Sequence, residues 1–295
     1  MPPVAEVLAL DSAWLRDNPL PDPDPASDKN SRGRVFIIGG STTVPGGLLL
    51  TAEAALRAGA GKVQVATPVS TALALGIAMP EIAVFALEQD RNGEIAGFPA
   101  GIGKDLSRCD IVVVGPAMGS GEPAGLIVDV LLDRQFNGIP LILDAAALMN
   151  LHSRGEALCA RPGAAVLTPH VGEMAALLAC DAAVIEADPP AAVRRAAQLY
   201  GAIVVLKGST SFIAEPDGSL YAYAGGSVGL ATSGSGDVLA GIAAGLSARG
   251  ATPLQAALWA VWLHGEAGRR CGEQIGPIGF LARELLARLP GLMRR

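Results

Sequence analysis

From Val35 onward one pattern constrains this chain more than any other: short β-branched runs alternate with longer Ala/Leu-rich segments of helical period. The runs are VFII (35–38), KVQVAT (62–67), IVVV (111–114), PLILD (140–144), AAVLT (164–168) and AIVVL (202–206), and GLLLTAEAALRAGA (47–60) is typical of the segments between them. Near-continuous apolar strands separated by helices predict a mostly parallel sheet covered on both faces. After AIVVL the pattern changes. SFIAE and SLYAYA, split by PDG, predict a hairpin at the edge or end of the sheet. The last third predicts helices over about 237–248, 253–271 and 279–289. With no linker, repeat or low-complexity block, an α/β fold with a single domain over 34–295 is expected.

Residues 1–33 stand apart. VAEVLALDSAWLRD predicts a short helix, and the alternating Pro and Asp of NPLPDPDPASDKNSRGR exclude regular structure. This stretch reads as a surface arm covering part of the domain. Its start lacks a basic segment followed by an apolar one, so no signal peptide is expected. No apolar run reaches the roughly 18 residues of a membrane span, and a cytoplasmic protein with no membrane partner is expected. The net charge of −6 argues against nucleic acid as a partner. It leaves room for an anionic small molecule, because a few backbone N–H groups bind phosphate in an acidic protein. Cys109, Cys159, Cys180 and Cys271 form no C-x-x-C pair, against a zinc site or a disulfide framework.

The residues after each expected strand are informative. VFII runs into GGS (39–41), IVVV into GPAMG (115–119), LIL ends at Asp144, AAVL leads to TPH (168–170) and AIVVL to KGST (207–210). In open parallel sheets the carboxyl edge is where ligands bind, so these loops together predict a crevice there. Individually they stay ambiguous. GPAMG reads equally as a ligand loop or a tight turn, and Lys207 as a phosphate contact or a solvated surface lysine. Glu173, three residues past His170, shares its face if a helix starts near Pro169, and that spacing also suits a capping arrangement. His264, mid-helix in AVWLHGEAG, reads as a structural histidine and His152 as an exposed one.

The stretch TSGSGDVL (232–239) carries the strongest signal. Ser233, Gly234, Ser235 and Gly236 precede a helix that is apolar nearly all round, so the helix is buried and Gly241 and Gly245 let neighbours approach closely. Its first turn then presents unpaired N–H groups and a positive dipole end inside the protein, which is an anion site. Asp237 in that turn acts as a cap or as a base beside the anion. The arrangement suits phosphoryl transfer to an alcohol: N–H groups stabilise the transferring charge while a carboxylate accepts the hydroxyl proton. Neither a P-loop nor a G-x-G-x-x-G fingerprint is present.

GSGD opening a buried C-terminal helix resembles the anion hole and base of the ribokinase-like superfamily, and within it the chain most resembles ADP/ATP-dependent NAD(P)H-hydrate dehydratases. The resemblance runs from about Lys29 to Leu289 through GRVFIIGGSTTVPGG, VVVGPAMG, LILDAAAL, AVLTPHVGEMAALL, VVLKGSTSFIAEPDG, GLATSGSGDVLAGIAAGL and WLHGEAG. It implies a ribokinase-like three-layer sandwich, with a mostly parallel central sheet and helices on both faces. It also implies repair of hydrated NADH or NADPH: the added hydroxyl is phosphorylated by ADP or ATP with Mg²⁺, and phosphate leaves. Carried over by motif, Asp237 is the base and Gly234, Ser235 and Gly236 form the anion hole. Lys207, Gly208, Ser209, Thr210 and Ser211, with Gly236, line the nucleotide site. Gly47, Gly119 and His170, with Asp237, contact the hydrated dinucleotide. The metal ligands are not legible, and assembly into a homo-oligomer is implied. The chain departs from the family pattern at Ala146, where a carboxylate is usual, and at Ser227, Ser233, Gly47 and Asp28, where Asn, Gly, Ala and His are usual. Two alternatives share the scaffold: a small-molecule or vitamin-precursor kinase, and a catalytically silent nucleotide-binding protein.

Overall fold

The computed structural model describes residues 6–294 except 23, 98–101, 120, 121, 134, 135, 137 and 162. Ten strands form one sheet: β1 (Val7–Ala9), β2 (Arg34–Ile38), β3 (Lys62–Pro68), β4 (Ile82–Leu87), β5 (Ile111–Val114), β6 (Leu141–Leu143), β7 (Ala165–Leu167), β8 (Ile203–Leu206), β9 (Ser211–Ala214) and β10 (Leu220–Tyr223). Their spatial order is β1-β10-β9-β8-β7-β6-β5-β2-β3-β4. All neighbours are parallel except β9, which runs antiparallel to both β8 and β10. The hairpin expected at PDG is there, closed by Glu215 N–H donating to the Ser219 carbonyl at 3.0 Å.

The helices that position the site are α1 (Ser12–Asp17), α2 (Gly47–Arg57), α3 (Val69–Ala78), α4 (Glu122–Leu131), α5 (Val171–Leu178), α6 (Pro189–Tyr200), α7 (Ser235–Ala248) and α8 (Pro253–Gln274). Strand side chains alternate between two cores. Val35, Ile37, Ile111 and Val113 pack with α2, α7 and α8 on one face. Phe36, Ile38, Val112 and Val114 pack with α4, α5 and α6 on the other. This is why the strands read as unbroken apolar runs: each residue faces one of two buried layers, and each large aliphatic side chain contributes about 1.5–3 kcal/mol. The three-layer sandwich is as expected.

Helix α7 lies against α2 at backbone distance. A Cβ on Gly241 would stand 2.3 Å from the Thr51 carbonyl oxygen, and one on Gly245 2.3 Å from that of Ala55. The small residues at both positions therefore fix how deep α7 is set, and with it the position of its first turn.

Two local expectations need correction, and one strand was not anticipated. The helix expected over VAEVLALDSAWLRD is instead strand β1 followed by α1, because the open edge of β10 pairs with Val7, Leu8 and Ala9; residues 1–5 lie outside the described set. IAVFAL forms the edge strand β4, which the sequence pattern did not separate from its surroundings. The C-terminal segment expected as one helix over 279–289 is two short ones, Ala282–Leu286 and Leu289–Leu292. Beyond β1 the N-terminal segment is held by further hydrogen bonds. Trp259 Nε1 donates to the Asn18 carbonyl at 2.8 Å, and Arg249 Nη2 to that of Pro21 at 2.7 Å.

Candidate active site

Strand order reverses between β5 and β2, a switch point of the kind beside which open α/β sheets bind ligands at their carboxyl edge. Gly40 N–H donates to the Pro116 carbonyl at 2.9 Å, tying the loops after these two strands together. A cavity of about 930 Å³ opens along this edge, lined by Asp144 after β6, His170 and Glu173 after β7, Lys207 to Ser209 after β8, and Ser235, Gly236 and Asp237 of α7.

The first turn of α7 is built for an anion. Gly234 caps the helix in the left-handed region, φ +85°, with no side-chain cap. A side chain there would also meet Leu50 Cδ1 at 2.4 Å. The first backbone bond into the helix runs from Val238 N–H to the Gly234 carbonyl, 3.1 Å, so the N–H groups of Gly236 and Asp237 precede the helical ladder. Gly236 bares the backbone toward two charged groups. A Cβ on it would lie 3.4 Å from Lys207 Nζ and 4.0 Å from Asp144 Oδ2.

Lys207 ties the neighbouring carboxylates together. Its Nζ lies 3.0 Å from Asp144 Oδ1 and 3.7 Å from Glu173 Oε2. Thr168 Oγ1 donates to the same Asp144 oxygen at 2.7 Å. Burial pushes the lysine's pKa down, but the charges of Asp144 and Glu173 outweigh it and hold the ammonium above its ordinary value. Asp237 experiences the opposite balance. Burial and then the charge of Asp144 push its carboxyl up to about 7, with Lys207 opposing. The carboxyl thus changes state near neutral pH, the range in which a general base works best.

The residues singled out in the sequence fall into two groups. Asp237, Gly236, Ser235, Lys207, Gly208, Ser209, Ser211 and His170 line the cavity. Gly234 sits just behind them as the α7 cap, and Thr210 lies in the same loop without lining the cavity. Gly47 begins α2, where a Cβ would stand 3.7 Å from Asp237 Oδ1. Gly119 lies off the cavity, its N–H given to Glu94 Oε2 at 2.9 Å. Lys207 is no solvated surface lysine, and the capping reading of His170 and Glu173 is what the chain adopts. Helix α5 starts at Val171, not Pro169; His170 Nδ1 accepts from the Gly172 and Glu173 N–H groups, and Glu173 Oε2 accepts from His170 N–H at 2.8 Å. Sequence reasoning assigned no site role to Asp144, Thr168, Glu173 or His264. The position of Asp144 and Thr168 at strand ends was the available signal; for His264 it was only its place in the WLHGEAG block of the resemblance. His152 is exposed, as expected.

Residues 35–291 match the family described as NAD(P)H-hydrate dehydratase. The chain belongs to this family. Among its dehydratase relatives, the ADP-dependent (S)-NAD(P)H-hydrate dehydratase of Xanthomonas campestris is 45% identical over 289 residues, 98% of this chain and 97% of that protein. The bifunctional NAD(P)H-hydrate repair enzyme Nnr of Escherichia coli is 35% identical over 94% of this chain, which spans only 50% of that longer protein. An ADP/ATP-dependent NAD(P)H-hydrate dehydratase from Bacillus subtilis, co-crystallised with ATP/Mg²⁺, superposes with a TM-score of 0.79 at 26% identity, covering 97% of each chain. A ribokinase-like superfamily protein from Enterococcus faecalis superposes at 0.84 with 27% identity, covering 97% of this chain and 95% of that one. The departures from the dehydratase pattern leave the first turn of α7 intact. Ser227 caps a short 3-10 turn, accepting from Gly229 N–H at 3.3 Å, and Ala146 is buried at the start of a four-residue helix.

Proposed function

We propose that this chain repairs hydrated NADH and NADPH by nucleotide-dependent phosphorylation of the ring hydroxyl followed by loss of phosphate. The observation that carries the reading is the pairing of Asp237 with the N-terminal donors of α7, in a chain of this family. Asp237 takes the hydroxyl proton as the hydroxyl oxygen bonds to the terminal phosphorus of the nucleotide, whose own P–O bond breaks. The N–H groups of Gly236 and Asp237, with Lys207 beside them, hold the negative charge of the transferring group. The C–O bond then breaks with electrons from the ring nitrogen, phosphate leaves on the same donors, and the neighbouring ring carbon gives up its proton to the departing phosphate or to water, restoring the ring double bond. ADP as the donor is supported by the ADP-dependent Xanthomonas relative.

Lys207, Gly208, Ser209, Thr210 and Ser211, with Gly236, are assigned to the nucleotide, and Gly47, Gly119 and His170, with Asp237, to the hydrated dinucleotide. Among the described residues no cluster of three or more His, Cys, Asp or Glu could hold a metal alone. The carboxylates of Asp144 and Glu173 on the cavity wall fit a magnesium ion that shares the nucleotide's phosphates, since Mg²⁺ takes one or two carboxylates plus phosphate and water oxygens. Such an ion would neutralise charge on the nucleotide.

The catalytic unit is assigned to 34–295, with 1–33 as an arm, and the compartment to the cytoplasm; among the described residues no helix is long and apolar enough to cross a membrane. Homo-oligomer formation is supported by an exposed apolar row on α3, Val69, Leu73 and Ile77 at 55%, 76% and 73% exposure, in a stretch without a charged residue between Lys62 and Glu81. Sedimentation of the purified protein gives the stoichiometry.

The activity is tested by incubating the protein with enzymatically hydrated NADH, Mg²⁺ and ADP or ATP while following reduced-nicotinamide absorbance. Recovery is expected, and no recovery with either nucleotide overturns the reading. Turnover of nucleotide on another alcohol would instead establish the kinase alternative.

A further inference from the structure

Ser235 belongs to the anion-binding turn through its backbone, but its hydroxyl and the His264 imidazole beside it are left unused by the transfer and elimination steps. Ser235, the first residue of α7 and 6% exposed, places Oγ 2.8 Å from Nε2 of His264, midway along α8. Both side chains line the cavity that holds Asp237 and Lys207. The contact joins the anion-binding end of one helix to the middle of another, 29 positions apart in sequence.

His264 is unsuited to be the acid or the base. Burial, with the Lys207 charge adding to it and the Ser235 backbone opposing, pulls its ring down to about 4. The ring is therefore neutral where Asp237 changes state, with one N–H and one lone pair to offer. A serine hydroxyl has one proton, so the pair has two arrangements. Either Oγ–H donates to Nε2, or Nε2–H donates to Oγ and the hydroxyl proton turns elsewhere. With an anion on the α7 N–H groups the second arrangement prevails, because a bond to a charged acceptor is about twice as strong as one to a neutral ring.

We propose that His264 is a positioning residue: its Nε2–H holds the Ser235 oxygen so that the Ser235 hydroxyl donates to the transferring phosphate. The side-chain donor joins the backbone donors of Gly236 and Asp237, and the imidazole supplies orientation rather than charge. The assignment rests on the dehydratase reading of this site.

The test is a set of variants in the NADH-recovery assay: His264→Leu, His264→Gln, Ser235→Ala and the double variant Ser235→Ala/His264→Leu. Loss of a donor to a charged group costs about tenfold to a hundredfold in rate. His264→Leu and Ser235→Ala are each expected to lower kcat by that much, with KM for nucleotide and the Kd for ADP within about threefold of wild type. His264→Gln, whose amide N–H substitutes for Nε2–H, is expected to recover most of kcat. The double variant is expected to be no slower than either single one, because one hydrogen-bonded unit is lost once. Should His264→Leu fail to fold, Ser235→Ala and His264→Gln carry the same expectations. Single variants within twofold of wild-type kcat, losses that multiply in the double variant, or no recovery by His264→Gln each overturn the proposal. A wild-type protein that turns over no hydrated cofactor overturns the functional reading itself, and this assignment with it.

Discussion

The Lys207 ammonium lies 3.0 Å from Asp144 Oδ1, although the two residues are 63 positions apart in sequence. This contact joins the ends of β6 and β8 and places the cation next to the bared backbone of Gly236. Removing it leaves a nearly fully buried carboxylate without its counter-charge, held by the Thr168 hydroxyl, since Asp144 is only 3% exposed. Lys207→Met is expected to lower stability by about 3–5 kcal/mol, read from denaturant unfolding. It is also expected to reduce kcat/KM at least about a hundredfold by loss of charge at the transferring phosphate.

The rate is expected to rise with pH through a midpoint near 7, where Asp237 loses its proton. Both neighbours move that limb, in opposite directions. Asp144→Asn removes a like charge that pushes Asp237 up, so the midpoint shifts to lower pH; Lys207→Met removes the opposing cation, so it shifts to higher pH. A pH profile of kcat for the three proteins checks both signs.

The same carboxyl has a stability consequence. Its folded-state pKa of about 7 stands above the ordinary 3.8, so the folded protein binds the extra proton between these values and the ionised form is disfavoured in the fold. The penalty is fully present above pH 7 and disappears as pH falls below about 4. Asp237→Asn is therefore expected to be more stable than wild type at pH 8, by on the order of 2–4 kcal/mol, and equal to it near pH 3.5 if both remain folded there. Thermal unfolding at the two pH values measures this.

Gly47 and Ala117 form a second coupled pair. A Cβ on Gly47 would stand 2.7 Å from Ala117 Cβ, and Ala117 itself holds φ +55°, a left-handed conformation disfavoured for alanine. Gly47→Ala is expected to cost about 1–3 kcal/mol and to slow turnover by displacing the start of α2 near Asp237. Ala117→Gly removes the opposing methyl and the strain, so the double variant is expected to recover most of both losses. Unfolding and rate measurements on the two singles and the double give the coupling directly.

The parts of the fold that were legible in the sequence are those set by local pattern. Strands facing two cores leave unbroken apolar runs, and TSGSGD announces a bared helix end in consecutive residues. β1 was not legible because its extended form depends on the open edge of β10, and VAEVLALD carries spacing that suits a helix equally well. β4 was hidden because IAVFAL, a short apolar run, suits a buried helix segment as well as a strand by periodicity alone. The site follows the same division. Asp237, Gly236 and Gly234 are neighbours in the chain and could be read together. The Lys207–Asp144 and Ser235–His264 contacts are made only when the sheet and helices bring distant residues together. A histidine in a helix therefore retained its ordinary reading, and a lysine after a strand gained a site role only through the family resemblance, until the structure joined each to its partner.

Coupling of ADP cleavage to cofactor repair through Asp237 is read out by measuring two products in one reaction: the reduced cofactor regained from hydrated NADH and the phosphate released from ADP. Wild type and Asp237→Asn are compared. Equal amounts of both products are predicted with wild type. With Asp237→Asn neither product is predicted, while ADP still binds. Phosphate release without cofactor recovery in the wild type, or near-wild-type recovery by Asp237→Asn, would contradict this mechanism.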